Sequence, residues 1–500
     1  MAYLIRGKAA PERPEGAIGP DPTLPRACVI GAGSCGIAAA KALYEARVPF
    51  DCFEAGPVVG GLWRFENPNG LSGAYSTLEM NTSGPRMSFS DFPIGDEDYP
   101  SHAAVGDYFD RYVDHFGFRD TITFETEVEH VERTDDGGWD VDLSTGETRG
   151  YDAVLVCNGH HWEPRWPEPP FPGEFAGTEM HAHDYRRPGQ LAGKRVIVVG
   201  GGNSGMDIAR DAADFADAAY LSLRRGVHVL RKRLGRRRKP IDQTLPPPWI
   251  PWAIKQRGFE VIRWRSGSIS EYGFPQPDHK VGHAHPTVSD EIHDRLQVGA
   301  VIAKPNIREL RGDRVLFEDG SEVAADVILY CTGYRVSFPF FDPGFIAAPD
   351  NDLPLYLRTF HPEIEGVYFL GLAQPLGAIM PMAEQQAKWV AALLRGEYEL
   401  PPVAEMRADI ARSHEAHAKR FYRSARHTME VDFDEWMRDA QREIKRGRNE
   451  PRGGAARDLS RPAPHPRRPV TRRRTRRRPR SRPRRSCGRA ARRPGCRRRG

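Results

Sequence analysis

The sequence predicts an α/β fold with two Rossmann-like dinucleotide-binding domains, the second inserted into the first. Three observations support this class. A G-x-G-x-x-G turn follows a short apolar run at residues 31–36, and the same spacing recurs after a second apolar run at residues 200–205. Two similar segments, DAVLVCNGH at 152–160 and DVILYCTGY at 326–334, lie on either side of the second turn. They are typical of two chain crossings between the domains.

The first turn has the features of a complete strand–turn–helix unit. Residues 27–30 are apolar and end in the β-branched Val29 and Ile30, which suits a buried parallel strand. Gly31 permits the tight turn, Gly33 allows backbone N–H groups to approach a pyrophosphate, and Gly36 lets the helix pack closely on its strand. The helix N-terminus then faces the phosphates with a partial positive charge.

The residues at the ends of the next strands distinguish the two sites. Glu54 ends the second predicted strand of the first unit, where a carboxylate accepts hydrogen bonds from a ribose 2′-OH and repels a 2′-phosphate. The first site is therefore expected to take FAD or NAD. In the second unit the corresponding segment, AAYLSLRRG at 218–226, has no acid and carries Arg224 and Arg225. Arginine binds a 2′-phosphate through forked hydrogen bonds, which predicts a preference for NADPH over NADH.

Two loops after Glu54 are candidates for contact with a flavin. The turn GGLW at 60–63 ends in Trp63, and it either lies against a bound flavin or is a β-turn with a core Trp. The polar loop NTSGPRMSFSDFP at 81–93 begins with Asn81. A neutral amide can both donate and accept near a reduced flavin without adding charge, although a lone Asn is more often a turn residue.

Composition limits the class of protein and its compartment. The chain has 500 residues and 39% apolar content, enough for sizeable cores. Seven scattered cysteines without a C-x-x-C pair indicate a reducing compartment, and no apolar run of about 18 residues occurs, so a cytoplasmic protein without a membrane partner is expected. Adjacent His160 and His161 should point in opposite directions on an extended chain, with no third ligand nearby, so we expect no metal.

The charge is distributed unevenly along the chain. Residues 451–500 hold 21 Arg, no Lys and one acid, Asp458, so they carry +20 of a net charge of +6 and leave −14 for residues 1–450. Such a segment is expected to be disordered. It could bind nucleic acid non-specifically, although it has no aromatic residue for base stacking. A reading-frame artefact of a GC-rich gene is a further alternative.

These features predict five segments. They are a flexible extension (1–25), the first part of an FAD-binding domain (26–160), an NADPH-binding domain with an insertion (161–325), the second part of the FAD-binding domain with C-terminal helices (326–446) and an Arg-rich tail (447–500).

A further motif identifies a family. The pattern F-x-G-x-x-x-H-x-x-x-[YF]-K is matched by Phe175, Gly177, His181 and Tyr185, with Arg186 in place of Lys. Together with GAGSCG, GGLW, NTS, FSDFP, CNGHH, GGGNSGMD, CTGY and GLAQPLGAIMP, it makes residues 27–400 resemble the flavin-containing monooxygenases. The hydrophobic C-terminal anchor of the animal members is not matched, and the Arg-rich tail is not a family feature.

The resemblance implies which residues contact the cofactors. Those expected at FAD are Gly31, Gly33, Ser34, Cys35, Gly36, Glu54, Leu62, Trp63, Asn81, Thr82 and Gly371. Those expected at NADPH are Gly200, Gly202, Asn203, Ser204, Gly205, Asp207 and Arg224, to which the arginines after the predicted strand add Arg225.

The resemblance also implies a reaction. In that family NADPH reduces FAD, O₂ adds to give a flavin C4a-hydroperoxide, and a soft nitrogen or sulfur nucleophile attacks the distal oxygen. An amine or thioether substrate follows, and Asn81 is the candidate catalytic side chain. The nearest rival, a Baeyer–Villiger monooxygenase acting on ketones, usually has Trp where this chain has Tyr185. The oligomeric state is left open, with a homodimer among the alternatives.

Overall fold

The computed structural model describes residues 19–234, 239–244, 250, 252–284, 286–420 and 428–449. The longer helices of these ranges are Ser34–Glu45, His102–Phe116, Asn203–Phe215, Trp252–Ser266, Ile379–Leu394, Val403–Arg420 and Phe433–Asn449, and two shorter ones are Gly84–Met87 and Glu291–Gln297. The predicted tail and most of the predicted N-terminal extension lie outside the described residues.

The first glycine turn belongs to a five-stranded parallel sheet, here called the first sheet. Its strands follow the order Val367–Phe369, Ala153–Val156, Ala27–Ile30, Phe50–Phe53 and Ile122–Thr123. The central strands are buried on both faces, as their unbroken apolar runs predict. Because the strand at 367–369 pairs with the strand at 153–156, the chain returns to this sheet after building the second unit. The predicted insertion is confirmed.

The second glycine turn belongs to another five-stranded parallel sheet, here called the second sheet. Its strands follow the order Thr178–His181, Val327–Tyr330, Arg195–Val199, Ala218–Ser222 and Ile302–Lys304. The segment at 326–334 was expected to open the second part of the FAD-binding domain, but its strand, Val327–Tyr330, lies in the second sheet. By this placement the second unit extends past the boundary expected at residue 325. The sequence could not show this, because a buried apolar run has the same pattern in either sheet.

Smaller sheets surround these two. An antiparallel meander comprises Val128–Arg133, Trp139–Leu143 and Thr148–Tyr151, and a four-stranded sheet comprises Glu322–Ala324, Arg314–Phe317, Ile307–Gly312 and Gly173–Phe175. Four two-stranded pairs join Val229–Leu230 to Thr287–Val288, Arg233–Leu234 to Lys239–Pro240, Glu163–Pro164 to Tyr334–Arg335, and Gln374–Leu376 to Glu430–Asp432.

The helix of the first turn packs against a helix from late in the chain. Residues Ile37, Ala38, Ala39 and Ala40 are buried on Ser34–Glu45, and they share one core cluster with the buried Trp389 of Ile379–Leu394. Small alanine side chains allow the two helices to approach closely. This packing brings residues 371–378, which precede the late helix, next to the first glycine turn.

Among the residues that the structure describes, no helix is both long and apolar enough to cross a membrane.

Candidate functional site

The first glycine turn has no room for side chains where the chain folds on itself. Gly31 has a φ of +94°, and a Cβ there would come within 2.8 Å of the Cys157 carbonyl oxygen. A Cβ on Gly36 would overlap the Gly31 carbonyl oxygen. Gly33 differs, since a Cβ there would have the Gly61 Cα, 3.9 Å away, as its nearest neighbour. Two glycine backbones therefore border a space that a side chain at residue 33 would enter, as a cradle for a pyrophosphate requires.

Glu54 is placed by the second strand of the first sheet and supports the turn directly. Its Oε2 accepts the Ala32 N–H at 2.8 Å, and its Oε1 accepts the Gly56 N–H at 2.7 Å. The residue is 5% exposed, and burial raises the pKa of its carboxyl group. Each oxygen accepts one bond and keeps one acceptor position, so Glu54 can hold the turn and still accept a ribose hydroxyl.

The loop that begins with Asn81 adjoins the segment that returns late in the chain. The Thr82 hydroxyl donates to the Gly377 carbonyl oxygen at 3.3 Å. A Cβ on Gly371, whose φ is +75°, would overlap Cys35 Sγ. The Asn81 Oδ1 atom is buried and has no hydrogen-bond partner among the described residues. A buried acceptor without a donor is rare in proteins and fits a ligand that donates a hydrogen bond, so this acceptor suits a flavin.

The remaining residues predicted at FAD lie around the same turn. Ser34 and Cys35 are the first two residues of the helix, directly after Gly33. Leu62 and Trp63 are on a 3-10 turn, Gly61–Trp63, and both side chains are partly exposed. Trp63 is therefore not a fully buried core residue.

The second glycine turn repeats the construction of the first. Gly200 has a φ of +125°, and a Cβ there would overlap the Cys331 carbonyl oxygen, just as Gly31 is limited by Cys157. A Cβ on Gly205 would overlap the Gly200 carbonyl oxygen. The helix begins at Asn203, directly after Gly202, and includes Ser204, Gly205 and Asp207. The same backbone geometry predicts the same kind of ligand.

The end of the next strand in the second sheet carries the predicted arginines. Arg224 and Arg225 are exposed, just beyond Ala218–Ser222. Within the described part of the chain, Arg224 forms no ion pair. Ser222 is 1% exposed and donates its hydroxyl to the Pro305 carbonyl oxygen at 2.7 Å, so this hydroxyl already has a protein acceptor. An exposed guanidinium at this position fits a 2′-phosphate.

Two predicted NADPH contacts have protein partners. The Asn203 Oδ1 atom accepts the Val288 N–H at 3.0 Å. The Asp207 Oδ2 atom accepts the Tyr75 hydroxyl at 2.7 Å, and burial raises the pKa of Asp207. The side chain of Asp207 thus connects the second unit to the segment before Asn81.

The paired histidines are arranged differently from the sequence-based expectation. The rings of His160 and His161 are in contact, with centroids 4.2 Å apart and planes at 62°. The chain bends here instead of continuing as a strand, so neighbouring side chains do not point to opposite sides. In the described ranges, no group of three or more His, Cys, Asp or Glu is arranged to hold a metal ion.

Sequence reasoning did not find the residues that join the two units near Asn81. Tyr75 and Thr77 bond to Asp207 and Asp211, and Ser83 bonds to Asp242. The sequence held one local indication of such contacts, namely the two acids at 207 and 211, which share a face of a helix. Nothing in the sequence identifies their partners.

The chain is similar in sequence to named monooxygenases over most of its length. The profile of the flavin-binding monooxygenase-like family matches residues 25–449. Flavin-containing monooxygenase 5 of Rattus norvegicus is 37% identical over 439 residues, which are 83% of this chain and 81% of that protein. The N-oxide-forming dimethylaniline monooxygenase 2 of Rattus norvegicus is 33% identical over 448 residues, 84% of this chain and 82% of that protein.

Solved structures show the same architecture. The S-allyl-L-cysteine S-oxygenase of Allium sativum superposes with a TM-score of 0.64 at 26% identity, covering 84% of this chain and 88% of that one. Cyclohexanone monooxygenase in its open form gives a TM-score of 0.65 at 18% identity, covering 85% and 98%, which shows a shared fold alone. The predicted family, fold class and cofactors are confirmed. The chain belongs to the flavin-binding monooxygenase-like family and is a flavoprotein monooxygenase that uses FAD and NADPH.

Proposed function

We propose that the protein oxygenates soft nitrogen or sulfur atoms of small amines or thioethers, with NADPH and O₂ as co-substrates. The observation that carries this proposal is the buried Oδ1 of Asn81, which has no hydrogen-bond partner among the described residues and lies next to Thr82, which bonds to Gly377. An uncharged amide there can accept and donate hydrogen bonds without supplying an acidic proton. Two similar proteins carry names that fit, one forming N-oxides and one oxygenating sulfur.

When bound, FAD and NADPH would supply the redox chemistry of the reaction, namely hydride transfer and activation of O₂. The chain's own residues would bind the two cofactors and enclose the reacting groups. Glu54 and the backbone around Gly33 would hold the adenosine diphosphate part of FAD, and Arg224 would hold the 2′-phosphate of NADPH. Asn81 would orient groups at the reacting end, where exclusion of water protects reactive species from premature breakdown.

The rival reaction is oxygen insertion next to a ketone. The sequence argument against it was Tyr185, which stands where Baeyer–Villiger monooxygenases usually have Trp. This residue is fully buried and bonds to Asp211, so its side chain is enclosed by protein. Incubation with trimethylamine, with methyl phenyl sulfide and with cyclohexanone, each followed by product identification and NADPH consumption, tests the proposal. N-oxide or sulfoxide formation matched to NADPH use is expected. Lactone as the main product would show that the protein acts on ketones instead, as a Baeyer–Villiger monooxygenase does.

We also infer a cytoplasmic location. The described cysteines, Cys28, Cys35, Cys52, Cys157 and Cys331, are all free thiols, which agrees with a reducing compartment. Fractionation of the native host tests this, and recovery with a membrane or extracellular fraction would contradict it.

A further inference from the structure

The segment that precedes Asn81 is fastened to the helix of the second glycine turn. The Tyr75 hydroxyl donates to Asp207 Oδ2, and the Thr77 hydroxyl donates to Asp211 Oδ2, both at 2.7 Å. Asp207 and Asp211 are one helical turn apart, so their side chains lie on the same face of Asn203–Phe215. Tyr75 packs in the core cluster of the second sheet, whereas Met80 packs in the core cluster of the first sheet, so the segment passes from one unit to the other. These bonds therefore fix one unit against the other next to the candidate catalytic residue.

Asp211 also binds Tyr185, the residue at the position where Baeyer–Villiger monooxygenases usually have Trp. The Tyr185 hydroxyl donates to the same Oδ2 atom at 2.8 Å, and the Tyr185 ring lies 5.7 Å from the Tyr75 ring. The other oxygen, Oδ1, accepts from the Arg210 guanidinium at 2.8 Å. The carboxylate is 3% exposed and has donors on both oxygens. A buried charge that is fully paired in this way holds its partners in a defined geometry.

The position of Asp211 along its helix links it to the NADPH cradle. The helix starts directly after Gly202, and at 1.5 Å per residue Asp211 lies about 12 Å from that start. On the other side, Thr77 is separated from Asn81 by only three residues. A short path of one helix segment, one hydrogen bond and a few residues of chain therefore runs from the second glycine turn through Asp211 to Asn81.

We propose that Asp211 is a positioning residue that sets the Asn81 loop relative to the NADPH-binding turn, and that Tyr185 acts through Asp211 and not on the substrate. The inference rests on the proposed function, because it takes the NADPH cradle and Asn81 to serve one reaction. It assigns position 185 a role in the arrangement of the two units. The choice between Tyr and Trp there would then alter how efficiently NADPH oxidation is coupled to product.

The test removes one hydroxyl at a time. Thr77→Val and Tyr185→Phe each keep the shape of the side chain and delete one bond to Asp211. The matched control is Tyr330→Phe, since Tyr330 is 2% exposed, donates to Glu179 at 2.5 Å and packs in a different core cluster from Tyr185. Two properties of the holoenzyme are measured. One is hydrogen–deuterium exchange of peptides covering residues 75–83, and the other is the ratio of H₂O₂ to oxygenated product per NADPH.

Both variants are expected to speed exchange in residues 75–83 by about fivefold, as loss of one hydrogen bond implies. The share of NADPH lost as H₂O₂ should rise in both, with flavin content and KM for NADPH unchanged. The control should match the wild type in both readouts. Because Thr77 and Tyr185 share one oxygen atom, the double variant should change exchange by a factor different from the product of the two single effects.

Three results would overturn the proposal, two of them from the single variants and one from Tyr185→Trp. One is wild-type exchange in residues 75–83 of both single variants. The other is faster exchange with unaltered coupling, which would leave Asp211 a structural residue only. Tyr185→Trp adds a separate arm, where a switch to lactone product with wild-type exchange would show that residue 185 selects the substrate. Exchange is measured without turnover, so failure of the proposed N- or S-oxygenation is distinguishable from failure of this coupling.

Discussion

Ser83 donates both its backbone N–H and its hydroxyl to one oxygen of Asp242, at 2.8 and 2.7 Å, while the other oxygen of Asp242 is buried without a partner among the described residues. Ser83→Ala is expected to lower the free energy of unfolding by about 1–3 kcal/mol, because a buried carboxylate loses one of its two donors. Denaturant unfolding followed by flavin fluorescence measures this. Thr148→Val is the control, since its hydroxyl bonds Asp142 at the surface. Equal losses of stability in both variants would show that the Ser83 hydroxyl bond to Asp242 contributes no more than a hydrogen bond at the surface.

Arg224 predicts the choice of nicotinamide cofactor. Arg224→Ala should raise KM for NADPH by about 10- to 100-fold, equivalent to about 1.5–3 kcal/mol for a charge-assisted phosphate contact, and leave NADH nearly unaffected. Steady-state kinetics with both cofactors gives the ratio. Arg225→Ala is the companion variant. If neither substitution alters the NADPH/NADH ratio, the 2′-phosphate binds elsewhere.

Asn81 predicts the coupling of O₂ use to product. Asn81→Leu removes the amide at similar volume, so product should fall at least about tenfold while H₂O₂ rises, as loss of a preorganised donor in an enclosed site implies. FAD content and the rate of flavin reduction by NADPH should remain unchanged, because the glycine turn and Glu54 are intact. Paired assays of H₂O₂ and product give the result. A variant with wild-type coupling would exclude Asn81 from the reaction.

Gly33 tests whether the cradle of the first turn is a binding site. Gly33→Ala meets no protein atom closer than 3.9 Å, so the chain should fold normally, whereas FAD should bind about tenfold more weakly or worse. Gly36→Ala is the contrast, because its methyl group would overlap the Gly31 carbonyl oxygen and should impair folding itself. Flavin content and circular dichroism separate the two cases. Full FAD binding in Gly33→Ala would place the pyrophosphate away from this turn.

His181 predicts a loss of stability in acid. It is fully buried, its Nδ1 accepts the His183 N–H at 3.0 Å, and burial lowers its pKa to about 4. Since an unfolded His has a pKa of about 6.5, its contribution is complete above that pH and declines as pH falls toward 4.

His181→Asn keeps an acceptor near Nδ1 without a titrating group. Its unfolding midpoint should therefore depend less on pH between 6.5 and 4 than that of the wild type. If the unfolding midpoints of the two proteins change with pH in the same way, His181 does not contribute to the pH dependence of stability.

Local patterns were sufficient to predict the two turns and the insertion. Gly31, Gly36, Gly200 and Gly205 occupy positions where backbone atoms leave no space for a side chain, and such requirements are visible in sequence. The sheet of the strand at 327–330 was not predictable, since burial on both faces gives the same composition in either domain.

The bonds around Asn81 were equally hidden from sequence. Tyr75 and Asp207 are 132 positions apart, and Ser83 and Asp242 are 159 positions apart. Polar pairs at such separations have no periodic signature, because only the assembled fold brings them together. The contact between His160 and His161 was missed for a local reason, a bend where extended backbone was assumed.

The insertion of the second unit has a consequence for biosynthesis. The strand at 153–156 obtains its neighbour at 367–369 only after about 200 further residues have been made, which takes about 10–40 s at ordinary elongation rates. During that interval one edge of the first sheet has no partner strand, while the second sheet, whose strands all lie between residues 178 and 330, can already form. We expect ribosome-bound chains stalled before residue 367 to protect the second unit from protease and leave the first one sensitive, and to need a chaperone at that open edge.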